Sequence, residues 1–312
     1  MTTHARRRST PLTARFTRFA ALVAVGGLAA TACQQPQSTG QSDSTPVANA
    51  VSSDPELAAL VPARLREAGK LVIATDASYA PMEFKDAQGK IVGADVDLGR
   101  AIAQKLGLKA EIRDAKFDAI IGGIQANKYD VSLSSFTATA EREKSVDMVT
   151  YFTAGLAVAV RKGNPLKIDP KDLCGVKVAV QTGTVAADEI KNERNPQCKA
   201  AGKPLIPNDG DRFDLQTDAT TALVAGRDDA MISDSSVVAY AAKQSGGQIQ
   251  QLGAPYAVDP SGIVLPKGGP MTEAVRGALQ ALIDDGTYRK ILTRWGVQSG
   301  AVTRSVVNSA SR

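Results

Sequence analysis

Short apolar runs alternate with amphipathic stretches between residues 70 and 297, and this alternation limits the possible folds more than any other feature. The runs have the length of buried strands: LVIAT (71–75), LKAEIR (108–113), YDVSLS (129–134), LAVAV (156–160), VKVAV (176–180), AMIS (230–233) and GIVLP (262–266). Apolar residues recur at helical spacing in four further stretches, which predicts four helices. The residues are Leu98, Ala101, Ile102 and Leu106, followed by Gly107; Phe117, Ile120, Ile121 and Ile124; Val275, Ala278, Leu279 and Leu282; and Tyr288, Ile291, Leu292 and Trp295. Such alternation predicts an α/β fold with mostly parallel sheets, in which ligands bind beyond the carboxyl ends of strands.

The N-terminus has the pattern of an export signal. Five arginines and no acid occur in residues 1–32, and the apolar run FAALVAVGGLAATA (19–32) is shorter than the roughly 20 residues of a membrane span. AATAC, ending at Cys33, resembles a lipobox whose Cys is lipidated, although Ala30 replaces the usual Leu. Two alternatives stay open: RRRST resembles a twin-arginine signal without its Phe-Leu, and ordinary cleavage would leave Cys33 as an incidental thiol.

Residues 33–54 are polar and contain little that could form a core. We therefore expect a disordered tether that holds the body away from a membrane surface. Lipidation of Cys33 would place the protein outside the cytoplasm, anchored to the outer face of the cell membrane.

Charge and histidine content exclude several classes of function. The chain has a formal net charge of +5, but without residues 1–32 the basic and acidic residues both number 32, which disfavours nucleic-acid binding. The single histidine, His4, lies in the predicted signal peptide. The mature chain therefore lacks the histidine that Ser-His-Asp and Cys-His catalysis require, and no cofactor or metal is expected.

Cys174 and Cys198 are the cysteines that remain after Cys33. In an exported protein an even pair predicts a disulfide. The competing interpretation, a metal site, lacks partner ligands.

Four blocks, in order, carry a family resemblance: GKLVIATDASYAPMEF, GKIVGADVDLGRAIAQKLGLK, FDAIIGGIQANKYDVSLSSFTATAEREKSVDMVTYF and LIDDGTYRKILTRWGV. They resemble the bacterial extracellular solute-binding proteins of family 3, which serve polar amino-acid ABC transporters, over about residues 65–298. The resemblance implies a type II periplasmic-binding-protein-like fold with two α/β lobes and two hinge strands. Lobe 1 would comprise residues 55–153 plus 259–312, and lobe 2 residues 154–258.

Arg142 matches the family arginine that holds the α-carboxylate of the ligand, and Thr137 matches a hydroxyl that supports it. A guanidinium presents a planar fork that fits a carboxylate. The alternative is a surface arginine paired with Glu141 or Glu143.

A second carboxylate contact is implied at Gly183, Thr184 and Val185, which follow a predicted strand and open a helix. Free N–H groups at a helix start favour an anion. The family often has a threonine where Val185 stands, and the alternative role of Gly-Thr is a simple helix cap.

Asp234 matches the acid that receives the α-amino group, and Ser135 matches a further polar contact to that group. The alternative for Asp234 is a cap of the helix SSVVAYAAKQ.

The ligand side chain would lie between Tyr79 and Phe117, with Asp76 as the polar selector; a core role competes at Phe117. An acid at that place favours an ammonium, guanidinium or carboxamide, so Arg, Lys, His or Gln is preferred over Glu or Asp. Glu83 is interpreted as a solvated or structural carboxylate.

The function that follows is capture of a free L-amino acid by a monomeric lipoprotein that closes on it and delivers it to an ABC permease, without catalysis. One alternative is a cyclohexadienyl or arogenate dehydratase-like enzyme on the same fold, which would need a general acid such as Glu83 or Asp76. The other is a lipoprotein that only senses its ligand.

Overall fold

The computed structural model describes residues 51–310, whose main sheet has eight strands in the order β5-β1-β6-β11-β7-β10-β8-β9. These are β1 (Lys70–Thr75), β5 (Lys109–Asp114), β6 (Val131–Ser132), β7 (Val146–Arg161), β8 (Val178–Gln181), β9 (Asp211–Phe213), β10 (Ala230–Asp234) and β11 (Ile249–Pro266). A second sheet contains β2 (Ser78–Tyr79), β3 (Glu83–Lys85) and β4 (Ile91–Val92). Strand pairs at the two ends of the main sheet are parallel, and β7 and β11 make the antiparallel pairs at its centre. The predicted mixed, mostly parallel α/β fold is confirmed.

The helices are α1 (Pro55–Ala59), α2 (Ala63–Ala68), α3 (Ala94–Lys105), α4 (Phe117–Gln125), α5 (Ala140–Ser145), α6 (Val185–Glu189), α7 (Asn195–Ala200), α8 (Gln216–Val224), α9 (Ser235–Gln244), α10 (Met271–Asp284) and α11 (Thr287–Trp295). The predicted helices coincide with α3, α4, α10 and α11. Gly107 follows α3 with a φ of 72°, a left-handed conformation that favours glycine after a helix.

Two strands are much longer than their sequence pattern indicates. The predicted runs 156–160 and 262–266 are the apolar ends of β7, with 16 residues, and β11, with 18. These two strands pair with each other along almost their whole length, interrupted by register shifts. Their middle parts mix polar and small residues, so the pattern of a short buried strand misses them.

Four hydrophobic clusters form the interior, and they separate at β7 and β11. Two draw their fully buried members from residues 61–152 and 263–297, and two from residues 156–249. The predicted boundaries between lobes, at 153/154 and 258/259, remain predictions.

The predicted disulfide is present: Cys174 and Cys198 are bonded, with Cα atoms 5.6 Å apart. Of the predicted tether, the last residues contact the body, because Val51 packs against a core cluster and Asp54 caps α1. The predicted signal peptide and Cys33 lie outside the described residues. None of the helices within 51–310 combines the length and apolar character that crossing a bilayer needs.

Candidate functional site

One small cavity brings together eight of the ten residues predicted to bind ligand. Its lining consists of Tyr79, Phe117, Ser135, Thr137, Arg142, Thr184, Val185 and Asp234 from that prediction, together with Leu156, Ala186, Gln216, Ile232 and Ser233. The space open to the centre of a water molecule is about 20 Å³, enough for about one water. Entry of an amino acid therefore requires the surrounding elements to move apart.

Arg142 points into this cavity from α5, whose first turn is capped by the Thr139 hydroxyl. Its guanidinium donates to the carbonyl oxygens of Thr137 at 2.8 Å and Gly183 at 2.9 Å. Burial lowers its pKa to about 10, so Arg142 carries its charge at neutral pH. The alternative pairing is absent, because Glu141 binds Lys144 and Glu143 accepts from the Ala310 amide.

The aromatic rings beneath Arg142 belong to Phe117 and Phe136, which stack with centroids 4.2 Å apart. The guanidinium carbon lies 5.1 Å from the Phe136 ring centre and 5.7 Å from that of Phe117. Phe117 also belongs to a core cluster, so it has both the predicted site position and the alternative core position.

Gly183 and Thr184 lie in the turn between β8 and α6, and Val185 begins α6. The Thr184 hydroxyl accepts from the Ala187 amide at 3.3 Å, so this side chain acts as the helix cap that sequence analysis left open. Gly183 is outside the cavity lining and contributes the carbonyl that binds Arg142.

Asp234 ends β10, lines the cavity and is buried. It precedes α9, but its side chain makes no capping hydrogen bond to that helix. Burial raises its pKa to about 7, against the opposing effects of a hydrogen bond with Tyr79 and of the Arg142 charge. The Tyr79 hydroxyl also accepts from the Asp234 amide at 3.2 Å and from the Ser233 hydroxyl at 3.1 Å.

Asp76 lies behind the cavity wall rather than on the lining. Its carboxylate accepts from the Phe117 amide at 3.0 Å, from Gln181 Nε2 at 3.1 Å and from the Ser78 hydroxyl. Burial raises the pKa of this carboxyl above its ordinary value. The hydrogen bond to Gln181 links the end of β1 to the end of β8, so Asp76 connects the two sets of core clusters.

Sequence analysis missed five lining residues. Ser233 precedes a predicted residue in the same strand, and Leu156 and Ile232 lie within predicted strands, so neighbouring signals existed. Gln216 begins α8, and its backbone N–H donates to Ser78 Oγ at 3.0 Å. No local pattern marks Gln216 as a site residue, because its position depends on that distant contact.

A larger groove of about 660 Å³ lies between β7, α9 and α11. Its lining includes Lys243 and Arg294 but no carboxylate, so it cannot neutralise an ammonium. Only the smaller cavity, within the described part of the chain, presents both Arg142 and Asp234. Residues 51–310 contain no cluster of three or more His, Cys, Asp or Glu able to hold a metal ion.

Comparison with known proteins gives consistent matches. The family described as bacterial extracellular solute-binding proteins, family 3, matches residues 71–298. The arginine-binding protein ArgT of Corynebacterium glutamicum is 36% identical over 254 residues, covering 81% of this chain and 83% of that protein.

Two solved structures show the same fold. An ancestral arginine-binding protein bound to arginine has a TM-score of 0.67 at 38% identity, covering 73% of this chain and 98% of its own. The ancestral amino acid-binding protein AncCDT-1, a precursor of cyclohexadienyl dehydratase, has a TM-score of 0.65 at 35% identity, covering 74% of this chain and 97% of its own.

Proposed function

This chain is a member of the bacterial extracellular solute-binding proteins of family 3, and from that membership we propose that it captures a cationic L-amino acid for an ABC permease. L-Arginine is the first candidate, since similar proteins are arginine-binding. The observation that carries the proposal is the placement of opposite charges on Arg142 and Asp234 at one buried cavity.

A zwitterion matches these charges. Its carboxylate would replace a backbone carbonyl as the acceptor of the Arg142 guanidinium, and its ammonium would pair with Asp234. Arg142 lies in α5, which is flanked by residues of one set of core clusters (Ala138 and Val146), and Asp234 ends β10, whose Ile232 belongs to the other set. A ligand that contacts both elements binds the closed arrangement more tightly than the open one and therefore stabilises the closed arrangement.

The preference for a cationic side chain follows from the charges around the cavity. Asp76 and Asp188 are close enough to interact with the site: Asp76 accepts from the Phe117 amide, and the charge of Asp188 partly offsets the lowering of the Arg142 pKa by burial. Arg142 is the single cation on the lining within the described residues. A ligand with an extra negative charge would therefore add repulsion, whereas arginine or lysine would reduce the excess of carboxylates.

Thermal unfolding and calorimetry with L-arginine, L-lysine, L-histidine, L-glutamine and L-glutamate test this proposal. A ligand at a hundred times its dissociation constant raises the melting temperature by about 5–10 °C for a chain of this size. Agmatine, which lacks the carboxylate, is the matched ligand control. Absence of binding by all five amino acids refutes the function.

The variant Arg142→Ala tests whether the charge of Arg142 binds the ligand. Loss of two charge-assisted hydrogen bonds lowers the affinity by at least about 100-fold. Arg276→Ala, which removes an arginine paired with Glu273 at the surface of α10, is the control and keeps the wild-type affinity. Equal affinities of the two variants would exclude Arg142 from the site.

We further propose that the protein is a lipid-anchored, monomeric transport component rather than an enzyme or a sensor. Cys33 would carry the lipid; Cys33→Ser would release the protein from the membrane fraction, as detergent partitioning measures.

The candidate acid Glu83 accepts a hydrogen bond from Ser134 away from the cavity lining, which disfavours dehydration. Formation of phenylpyruvate from prephenate, or of phenylalanine from arogenate, would contradict this assignment. Amino-acid uptake that persists without the protein would favour a sensing role.

A further inference from the structure

Two carboxyl groups lie together in the interior behind the cavity. Glu83 is in β3 and Asp95 is in the first turn of α3, and their exposed fractions are 0% and 1%. The Asp95 amide donates to the Met82 carbonyl at 2.9 Å, which places Asp95 beside Glu83, and the two carboxyl groups are close enough to shift the pKa of each other. Neither forms an ion pair with a Lys or Arg of residues 51–310. Two adjacent buried carboxylates without a cation would repel each other strongly.

The four carboxyl oxygens divide into two types. Glu83 Oε1 accepts from the Ser134 hydroxyl at 3.0 Å, and Asp95 Oδ2 accepts from the Tyr151 hydroxyl at 2.6 Å and the Ser135 amide at 3.0 Å. Glu83 Oε2 and Asp95 Oδ1 are buried and receive no N–H or O–H donor from the described residues. One proton between these two oxygens would satisfy both atoms and reduce the charge of the pair to −1.

We infer that Glu83 is protonated and that its O–H group donates a hydrogen bond to Asp95. The two residues then act as positioning residues for the ligand cavity. This inference rests on the proposed function for its link to ligand, while the proton itself is a property of the ligand-free protein. It differs from the sequence interpretation of Glu83 as a solvated or structural carboxylate, because it gives the proton a defined place between two oxygens.

The link to the cavity passes through two consecutive serines. Ser135 lines the cavity and has a φ of 51°, a left-handed conformation that is uncommon outside glycine, and Asp95 accepts its amide. Ser134 Oγ donates to Glu83 and accepts from the Asp76 amide at 2.9 Å. The pair therefore holds the loop after β6, which lines the cavity through Ser135, and the loop after β1, which lies behind that wall.

The surroundings determine how the pair titrates. Burial raises the pKa of Glu83 well above its ordinary value, and the Asp95 charge adds to this; burial also raises the pKa of Asp95, to about 6. The other titratable groups that interact with the pair are Asp76 behind β1, Tyr79 in β2, Tyr151 in β7, Asp234 at the end of β10 and Tyr288 in α11. None of these groups carries a positive charge, and the one that donates to the pair, Tyr151, stabilises the ionised form of Asp95 rather than that of Glu83.

The shared proton makes the stability of the folded protein depend on pH. Below the ordinary glutamate pKa of about 4.5, Glu83 is protonated in both the folded and the unfolded chain. Above it, the unfolded chain loses this proton while the folded chain keeps it, so stability falls as the pH rises towards the folded pKa. A glutamine at this position keeps a donor for Asp95 and an acceptor for Ser134 but has no proton to lose.

The test is thermal unfolding of the ligand-free protein and its Glu83→Gln variant between pH 4.5 and 8.5. The melting temperature of the variant minus that of the wild type should increase by roughly 5 °C over this range. Contributions common to both proteins, including that of Asp234, cancel in the difference. Glu67→Gln, at an exposed position, is the control and gives a constant difference. A constant difference for Glu83→Gln would overturn the shared proton.

A second measurement identifies the proton directly. The infrared spectrum at pH 7.5 should contain a protonated-carboxyl band from Glu83 that Glu83→Gln lacks, beside the contribution of the partly protonated Asp234, which both proteins share. An unchanged band would refute the assignment even if the unfolding curves agreed with it.

The positioning role is tested with L-arginine at pH 7.5. Glu83→Gln should keep the wild-type affinity within about threefold, since both hydrogen bonds are preserved, whereas Glu83→Ala should lose at least about tenfold. Equal affinities of the Ala variant and the wild type would overturn the positioning role. If the wild type fails to bind arginine, the proposed function is refuted. The measurements on the ligand-free protein still show whether Glu83 carries the shared proton.

Discussion

Gly183 offers a test of whether the two halves of the cavity must close on ligand. Its φ is 77°, and a Cβ added there would lie 2.9 Å from Asp118 Cβ and 3.2 Å from Asp118 Cα. Comfortable contact between carbon atoms needs about 3.5–4.0 Å. Because Gly183 follows β8 and Asp118 lies in α4, the overlap arises only while these two elements are together.

Two effects of Gly183→Ala can be separated. The left-handed backbone disfavours alanine by about 1–2 kcal/mol whether the cavity is open or closed. The overlap with Asp118 destabilises only the closed arrangement, by about 1–3 kcal/mol as in other overpacked sites. We therefore expect the affinity for L-arginine to fall by about 5- to 150-fold, measured by isothermal calorimetry.

Gly202→Ala is the matched control, because Gly202 has a φ of 64° and no heavy atom within 4 Å of an added Cβ. It should lower the ligand-free melting temperature to a similar extent and leave the affinity unchanged. Asp118→Gly in the Gly183→Ala background should recover part of the affinity, with a coupling energy above about 0.5 kcal/mol. If Gly183→Ala and Gly202→Ala bind arginine equally well, closure between these elements is refuted.

Two further measurements concern pH and the disulfide. The pKa of Asp234 is raised to about 7 in the ligand-free protein, so an ammonium ligand binds the ionised form and affinity rises with pH. Between pH 8 and pH 5.5 the affinity should fall by about 30-fold, with proton release in calorimetry, and Asp234→Asn should abolish this slope. Cys174→Ser with Cys198→Ser opens the loop between two residues 24 apart and should lower the free energy of unfolding by about 3 kcal/mol in urea denaturation. A pH-independent affinity, or unfolding equal to that of the wild type, would contradict the respective argument.

Local pattern identified the elements whose apolar residues repeat regularly. Helix α3 was predicted because one face is apolar and a left-handed glycine follows it. By contrast, the predicted strand 129–134 pairs with β1 only at Val131 and Ser132. Ser134 and Ser135 lie beyond the paired residues, and Ser135 lines the cavity, which periodicity cannot indicate because neither residue changes the pattern.

The family resemblance predicted ligand-binding residues that periodicity does not mark. The cavity brings together Arg142, Thr137 and Asp234 as expected, together with most of the other predicted residues. Asp76 was predicted as the selector and lies behind the lining, where it joins Phe117 and Gln181. Gln216 was not predicted, because its place depends on a hydrogen bond to Ser78 across 138 residues of chain.

The sequence alone determined the alternation of strands and helices, the absence of histidine after His4 and the two cysteines available for a disulfide. These are properties of residue type and short-range order, which no tertiary contact alters. Only the tertiary structure decided that Arg142 meets the Gly183 carbonyl, that Asp234 titrates near neutrality and that Glu83 adjoins Asp95. Each depends on burial and on contacts between distant segments, and the energy of a charge depends on what surrounds it rather than on its neighbours along the chain.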